Sequence, residues 1–170
     1  MDVDLKYASE ADKPALANLV QFNEYDMAEY RESDLTPHGV FVYRYLDYYF
    51  EEAGHEPYLI TADDRIAGFA LARTGADQDV WTCSEFFIFR HRRRRGVAAA
   101  AARLLLGRHP GTWSVSFEYV NTPASIFWTA LAEAVAVGKI DREEREPPEV
   151  EYAGARLKFD VTPESLEQPG

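Results

Sequence analysis

The passage at residues 85–98 constrains the fold more than any other part of the sequence. An apolar run from Phe86 to Phe89 ends in a turn with four consecutive arginines, and Gly96 opens a run of small residues that predicts a helix at 97–106. The first N–H groups of a helix lack intrahelical partners and carry part of a positive charge. Gly96 permits turn geometry and close approach of a ligand, and arginine stays protonated. The passage therefore predicts a strand–turn–helix unit that binds an anion such as a diphosphate.

Other interpretations of the arginine run are a solvated surface and a nucleic-acid or nuclear-localisation patch. The chain carries a formal net charge of −11, which repels nucleic-acid phosphates, so we expect no nucleic-acid partner. A Walker loop is excluded because Gly-Lys-Ser and Gly-Lys-Thr are absent. A dinucleotide-binding fold is disfavoured because the turn has one glycine.

Residues 58–62, 66–73 and 80–89 are three short strand-like runs separated by turns at Asp63-Asp64 and Gly75, which predicts an antiparallel meander. Further strands are predicted at 3–7, 113–119 and 152–161. Helices are predicted after Ser9, at 41–50, at 97–106 with Gly107 as its C-cap, and at 123–135 with Asn121 as its N-cap. Residues 141–148 are predicted to form a polar connection. The pattern predicts one α/β domain over residues 1–162 and a disordered tail at 163–170.

Composition restricts the setting. No apolar run reaches the roughly 18 residues of a membrane helix, and the amino terminus lacks a signal-peptide pattern, so we expect no membrane association. Cys83 is the single cysteine, so no internal disulfide can form and a cytoplasmic location is favoured. No pair of histidines has metal-ligand spacing, and we expect no metal. The oligomeric state stays open between a monomer and a homodimer.

The motifs resemble those of the GNAT superfamily of N-acetyltransferases. The signature Gln/Arg-x-x-Gly-x-Gly/Ala matches the six residues that begin at Arg93. A strand then follows, next Asn-x-x-Ala beginning at Asn121, and next the aromatic pair Phe127-Trp128. The order of elements is similar over roughly residues 3–161. The resemblance implies an α/β (α+β) fold with a mixed, mostly antiparallel sheet flanked by helices.

The resemblance also implies acetyl-CoA as co-substrate. The signature and the start of its helix would hold the CoA diphosphate (Arg93, Arg94, Arg95, Gly96, Val97, Ala98 and Ala99). The backbone of Phe87, Ile88 and Phe89 would bond the pantetheine arm as an added strand, with an N–H near Phe87 or Ile88 polarising the thioester carbonyl. Asn121, Phe127 and Trp128 would border the far end of the arm.

The activity implied is transfer of an acetyl group to a primary amine, of a small molecule or a lysine-like protein side chain, by direct attack on the thioester. An amine with a pKa of about 10.4 must first lose a proton. Glu85 is one candidate base, since strand alternation puts it on the face of Phe87 and Phe89. Glu118 is another, and both are also compatible with ordinary strand carboxylates. Carboxylates near tyrosines at residues 22–30 and 45–49 would suit a cationic acceptor, and the same pattern is also that of an amphipathic helix packing its tyrosines.

Trp128 differs from the residue that the family pattern has at this position. Many family members have a tyrosine here that protonates the leaving thiolate, and an indole N–H is no useful acid. Tyr119 is a candidate substitute, and a CoA thiolate can also leave unassisted. The alternative function is a non-catalytic acyl-CoA-binding or regulatory module.

Overall fold

The computed structural model describes residues 1–75 and 79–167. Within these residues the chain forms one seven-stranded sheet with helices on both faces, in the strand order β1-β2-β3-β4-β5-β7-β6. The β4–β5 pair is parallel and every other neighbouring pair is antiparallel. The strands are β1 Val3–Tyr7, β2 His55–Ala62, β3 Arg65–Thr74, β4 Val80–Ile88, β5 Gly111–Glu118, β6 Val137–Arg145 and β7 Gly154–Val161. The helices are α1 Lys13–Met27, α2 Tyr48–Glu51, α3 Val97–Arg108, α4 Thr122–Val135 and α5 Pro163–Glu167.

Helix α1 starts where its sequence signals predict. Ser9 and Asp12 form a capping box in the short 3-10 turn before it, and Pro14 lies in its first turn. Its apolar stripe, Leu16, Leu19 and Val20, is buried against one face of the sheet. Helix α1 thereby lies over β3 and β4.

Helices α3 and α4 cover the opposite face. Leu105 and Leu106 of α3 pack with Trp113 and Val115 of β5 in the larger of the two apolar clusters. Gly96 precedes α3, and the Asn121 side chain caps α4 by accepting the Ala124 N–H at 3.2 Å. Both predicted helix starts, after Gly96 and after Asn121, are confirmed, and β5 lies between them in the sequence.

The helix predicted at 41–50 is wrong except for its last turn. Only Tyr48–Glu51 is helical. The Gln21 side chain donates to the Phe41 carbonyl at 3.0 Å and accepts the Phe41 N–H at 2.7 Å. These bonds satisfy the backbone of Phe41 in a segment, residues 41–45, that has no regular secondary structure. Of its aromatic side chains, Tyr43 packs against the buried cluster under α1 and Tyr45 is exposed.

Three other predictions need correction. Gly107 lies inside α3, which continues to Arg108, so it is no C-cap. The first five residues of the polar connection predicted at 141–148 belong to the edge strand β6. Its side chains are almost all exposed, so its sequence shows no apolar alternation. The tail predicted as disordered forms α5 over Pro163–Glu167, because Thr162 and Ser165 cap its start reciprocally. Residues 168–170 lie outside the described part of the chain.

None of the helices in the described ranges has the length and apolar content needed to cross a bilayer.

Candidate active site

Strands β4 and β5 separate halfway along their length. They pair only from Val80 with Thr112 to Cys83 with Val115, although β4 continues to Ile88 and β5 to Glu118. On the other edge of β4, Cys83 and Glu85 pair with consecutive residues of β3, which leaves Ser84 as a bulge. The bulge and the lost pairing open a wedge in the middle of the sheet.

The wedge exposes backbone groups of β4. The Phe89 N–H donates to the Ala67 carbonyl at 2.7 Å, and the register places Phe87 opposite Phe69. Because antiparallel bonding alternates, the N–H groups of Phe87 and Phe89 point at β3, whereas those of Phe86 and Ile88 point into the wedge. Of the three residues predicted to bond the pantetheine arm, Ile88 alone has a suitably directed N–H, and Phe86 is the other donor.

Beyond the wedge, the turn before α3 has the geometry that the sequence predicts. Gly96 has a φ of 78° and Arg94 a φ of 59°. A Cβ at Gly96 would meet nothing within 4 Å, so the backbone there is open to a ligand. The Gly96 carbonyl accepts the Ala100 N–H at 3.0 Å, so the N–H groups of Val97, Ala98 and Ala99 precede the first intrahelical donor. Unpaired amides at a helix start are the groups to which an anion can bind.

The arginines of the turn, at 90 and 92–95, divide into those with a carboxylate partner and those without one, and Arg92 lies 4.0 Å from Asp63. Asp26 of α1 binds both Arg90, at 2.8 Å, and Arg93. Arg93 also donates to the Ile88 carbonyl at 2.7 Å, so it ties the turn to α1 and β4. Arg94 and Arg95 are exposed and make no ion pair with another residue of the described chain. These two are the arginines available to an anionic ligand.

Glu85 lines a cleft of about 300 Å³ that opens beside the wedge. Its backbone pairs with Leu71, as Phe87 pairs with Phe69, so Glu85 lies on the α1 face with Phe87, and the predicted alternation is confirmed. The Asn23 amide donates to it at 3.2 Å. Burial, followed by the nearby Glu24 carboxylate, raises the pKa of Glu85 to about 7. A carboxyl with this pKa can accept a proton near neutral pH.

Glu118, the other predicted base, lies in the same cleft with a fixed partner. Arg31 donates to both of its oxygens, at 3.1 Å from Nε and 2.6 Å from Nη2. Both oxygens of Glu118 are thus occupied by Arg31, whereas the Glu85 carboxylate accepts one hydrogen bond, from Asn23.

The structure does not bring Tyr119 to this cleft. Its hydroxyl donates to Glu144 and accepts from Arg142 at 2.8 Å, on the exposed β6 side. Asn121 and Trp128 do line the cleft. Trp128 is buried with its ring 5.3 Å from that of Phe86, and Phe127 stacks on the same ring at 5.8 Å. The aromatic pair therefore packs on β4 where the wedge opens.

A second cleft, of about 820 Å³, adjoins the first, and the two share five lining residues: Cys83, Ser84, Glu85, Ser116 and Arg145. We call it the tyrosine cleft, because Tyr43, Tyr45, Tyr48 and Tyr49 form one wall. Of the carboxylates predicted to accompany the tyrosines, Asp47 instead pairs with Lys13 at 3.0 Å. From residues 22–30, Glu24 lines the first cleft, whereas Asp26 is bound to the arginines.

Several lining residues escaped prediction from sequence. Asn23 follows Leu16, Leu19 and Val20 on one helical face, so a polar residue in an apolar stripe was the signal for it. No sequence signal predicted Arg31 or Tyr152, because both lie in loops and their positions depend on how those loops fold. No group of three metal-binding side chains with suitable geometry occurs among residues 1–75 and 79–167.

Solved structures with the same arrangement are numerous. An acetyltransferase from Thermus thermophilus superposes with a TM-score of 0.66 at 14% identity, over 95% of this chain and 98% of that one. The chain has the GNAT fold. An aminoglycoside acetyltransferase in complex with coenzyme A gives 0.65 at 13% identity, over 98% of each chain. An Escherichia coli N-acetyltransferase for the alanine of a ribosomal protein gives 0.56 at 13% identity, over 99% and 97%. No family model matches the sequence, and no curated protein matches it.

Proposed function

We propose that this GNAT-fold chain is an acetyl-CoA-dependent N-acetyltransferase that transfers the acetyl group to a primary amine. One observation carries the proposal. Glu85, whose pKa is raised to about 7, lies where the β4–β5 wedge, the first cleft and the tyrosine cleft meet. A base at such a junction can act between a thioester in the wedge and an amine in a cleft.

The residues of the wedge and the turn fit acetyl-CoA, which supplies the thioester. The free N–H groups of Val97, Ala98 and Ala99, with the exposed Arg94 and Arg95, suit a diphosphate. The N–H groups of Phe86 and Ile88 suit an extended amide-containing arm laid against β4 as a further strand. One of these two N–H groups is also the candidate donor to the thioester carbonyl oxygen.

In the proposed reaction the amine nitrogen bonds to the acetyl carbon and the carbon–sulfur bond breaks. Glu85 accepts the proton that the amine gives up. Asn23 orients the Glu85 carboxylate by its hydrogen bond. Tyr119 bonds Glu144 and Arg142, and Trp128 cannot serve as an acid, so neither of these two residues protonates the sulfur, which leaves as a thiolate.

The acceptor class is wide in proteins with this fold: among the structures compared, one acts on an aminoglycoside and another on a ribosomal protein. A small-molecule amine and a protein amine are both within the proposal. We also propose a cytoplasmic location, which suits a chain whose one cysteine, Cys83, is buried and unpaired.

The test is a thiol-release assay with acetyl-CoA and a broad panel of amines. We expect turnover with at least one amine, and Glu85→Gln should lower kcat at least about 100-fold, the usual range for loss of a general base. Acetyl-CoA should bind the variant as tightly as it binds the unaltered protein. Glu133→Gln, an exposed change on α4, is the matched control and should leave kcat unaltered.

A second candidate function is a non-catalytic acyl-CoA-binding module. Trp128, buried beside the wedge in place of an acidic hydroxyl, favours it. This module would bind acetyl-CoA in a calorimetric titration and release no thiol with any amine. The two functions therefore differ in consumption of acetyl-CoA and agree in binding it.

A further inference from the structure

The floor of the tyrosine cleft is polar, because the strand register aligns polar residues across four strands. Arg73 of β3 pairs with Thr82 of β4, Thr82 lies beside Ser114 of β5, and Ser114 pairs with Lys158 of β7. All four line the cleft. With neighbouring strands about 4.8 Å apart, the backbones of Arg73 and Lys158 are about 14 Å apart, with two short hydroxyl side chains between them.

A second row adds two more cations. Ser116 of β5 pairs with Arg156 of β7, and Arg145 is the last residue of β6. Both arginines line the cleft. Arg156 shares its charge with Glu143 at 3.3 Å. For Arg73, Arg145 and Lys158, no ion pair within 4.0 Å is formed among the described residues.

The charge of this cleft is opposite to that of the whole chain. The chain carries a net charge of −11, yet four cationic side chains line the cleft and Glu85 is the one carboxylate in its described lining. A cationic acceptor, which the carboxylates near tyrosines at residues 22–30 and 45–49 would suit, would be repelled here. An anionic group could instead pair with Arg73 and Arg145, which form no ion pair among the described residues, and with Lys158, whose cross-strand neighbour Asp141 is itself paired with Lys139.

We propose that the acceptor is a small primary amine that also carries a carboxylate or phosphate group. Its anionic group lies on Arg73 and Lys158, its amine reaches Glu85, and its body contacts the tyrosines. The volume of about 820 Å³ is that of a small-molecule site. This inference rests on the proposed function and narrows its substrate class.

The experiment compares amines that differ in the anionic group. L-Phenylalanine is paired with L-phenylalaninamide, and phosphoethanolamine with ethanolamine, and spermidine is included as a polycation. At saturating acetyl-CoA we expect the anionic member of at least one pair to have a kcat/KM about tenfold higher, since a charge-assisted hydrogen bond is worth about that much. The pair that shows the preference identifies carboxylate or phosphate as the group bound.

Two variants and a matched control locate the effect. Lys158→Gln and Arg73→Gln should each remove most of the preference by raising the KM for the anionic amine, with the KM for acetyl-CoA unchanged. Arg65→Gln makes the same change at the other end of β3, outside both clefts, and should keep the preference. A higher kcat/KM for spermidine or the neutral amines, or an equal preference in Lys158→Gln, overturns the proposal.

Binding separates this inference from the proposed function. If no amine releases thiol, the enzymatic function fails, and calorimetric titrations with L-phenylalanine, L-phenylalaninamide and inorganic phosphate decide the inference. Binding of an anionic compound that Lys158→Gln weakens and Arg65→Gln retains supports an anion site in the cleft. Equal binding of the neutral amide, or no binding of any anion, overturns it.

Discussion

The side-chain amide of Asn23 donates a hydrogen bond to the carboxylate of Glu85, with 3.2 Å between Nδ2 and Oε2. The bond joins α1 to β4 at the place where β4 leaves β5. It favours the charged carboxylate, whereas burial and the neighbouring Glu24 disfavour it more strongly, and the pKa of Glu85 is raised to about 7. The surroundings of Glu85 thus give it the raised pKa that the proposed general base requires.

The rate of acetyl transfer should therefore depend on the ionisation of Glu85. We expect kcat to rise with pH and to level off above an apparent pKa of about 7. After burial, the Glu24 carboxylate is the largest cause of this raised pKa. Glu24→Gln removes that carboxylate, so the pH profile of this variant should shift to lower pH. Stopped or continuous thiol assays between pH 5 and pH 9 measure both curves. An unshifted profile in Glu24→Gln would count against Glu85 as the titrating group.

Protein stability should carry the same signature with a defined sign. Glu85 keeps its proton in the folded chain up to a pKa of about 7, whereas the unfolded chain loses it near 4.5. The folded state then binds more protons, so this residue makes the free energy of unfolding fall as pH rises from 4.5 to 7. Because the side chain is partly exposed, the loss should be on the order of 2 kcal/mol.

Glu85→Gln has no such titration. In urea denaturation its stability relative to the unaltered protein should therefore increase between pH 5 and pH 8. A stability difference that is the same at the two pH values would contradict the raised pKa.

The turn at Gly96 offers a test with a closely matched control. Gly96 and Gly138 have φ values of 78° and 79°, and a Cβ at either would meet nothing within 4 Å. Alanine at each should cost about 1 kcal/mol of unfolding free energy through backbone strain alone. Only Gly96→Ala also shifts the amides before α3, so only it should weaken CoA binding, about tenfold for a loss near 1.4 kcal/mol. Equal CoA affinities of the two variants, measured by calorimetry, would show that the diphosphate binds elsewhere.

The Arg31–Glu118 pair should behave as a coupled unit. Their side chains are 36% and 24% exposed, so each single change, Arg31→Gln or Glu118→Gln, leaves a partly desolvated charge without its partner. The double variant should be more stable than the sum of the two single changes predicts, with a coupling of about 1 kcal/mol. Additive losses in chemical denaturation would mean that the ion pair contributes nothing.

The sequence predicted features that depend on local backbone chemistry. The glycine at 96 is needed for a positive φ, Asn121 caps α4, and the alternation around Glu85 and Phe87 follows from one strand. The dense run of aromatic residues predicts a helix at 41–50, whereas the Gln21 side chain, twenty residues earlier, bonds the backbone of Phe41, and residues 41–45 form no helix.

The sequence could not predict features that depend on contacts between residues far apart in the chain. Arg31 and Glu118 are 87 residues apart, and their contact follows from the loop after α1. The row from Arg73 to Lys158 exists only once the register of four strands is known. The bulge at Ser84, which turns Glu85 toward α1, contains no glycine, so the sequence has no signal that predicts it. The polar lining of the proposed acceptor site accordingly depends on the assembled sheet.

Amide hydrogen exchange tests the central claim, that the wedge between β4 and β5 binds the arm of acetyl-CoA. With saturating CoA, the account predicts that exchange slows at Phe86 and Ile88, whose N–H groups point into the wedge, and at the amides of residues 97–99. Phe87, already bonded to β3, should change little. Protection absent from Phe86 and Ile88 while CoA is bound, or failure of CoA to bind at all, would contradict it.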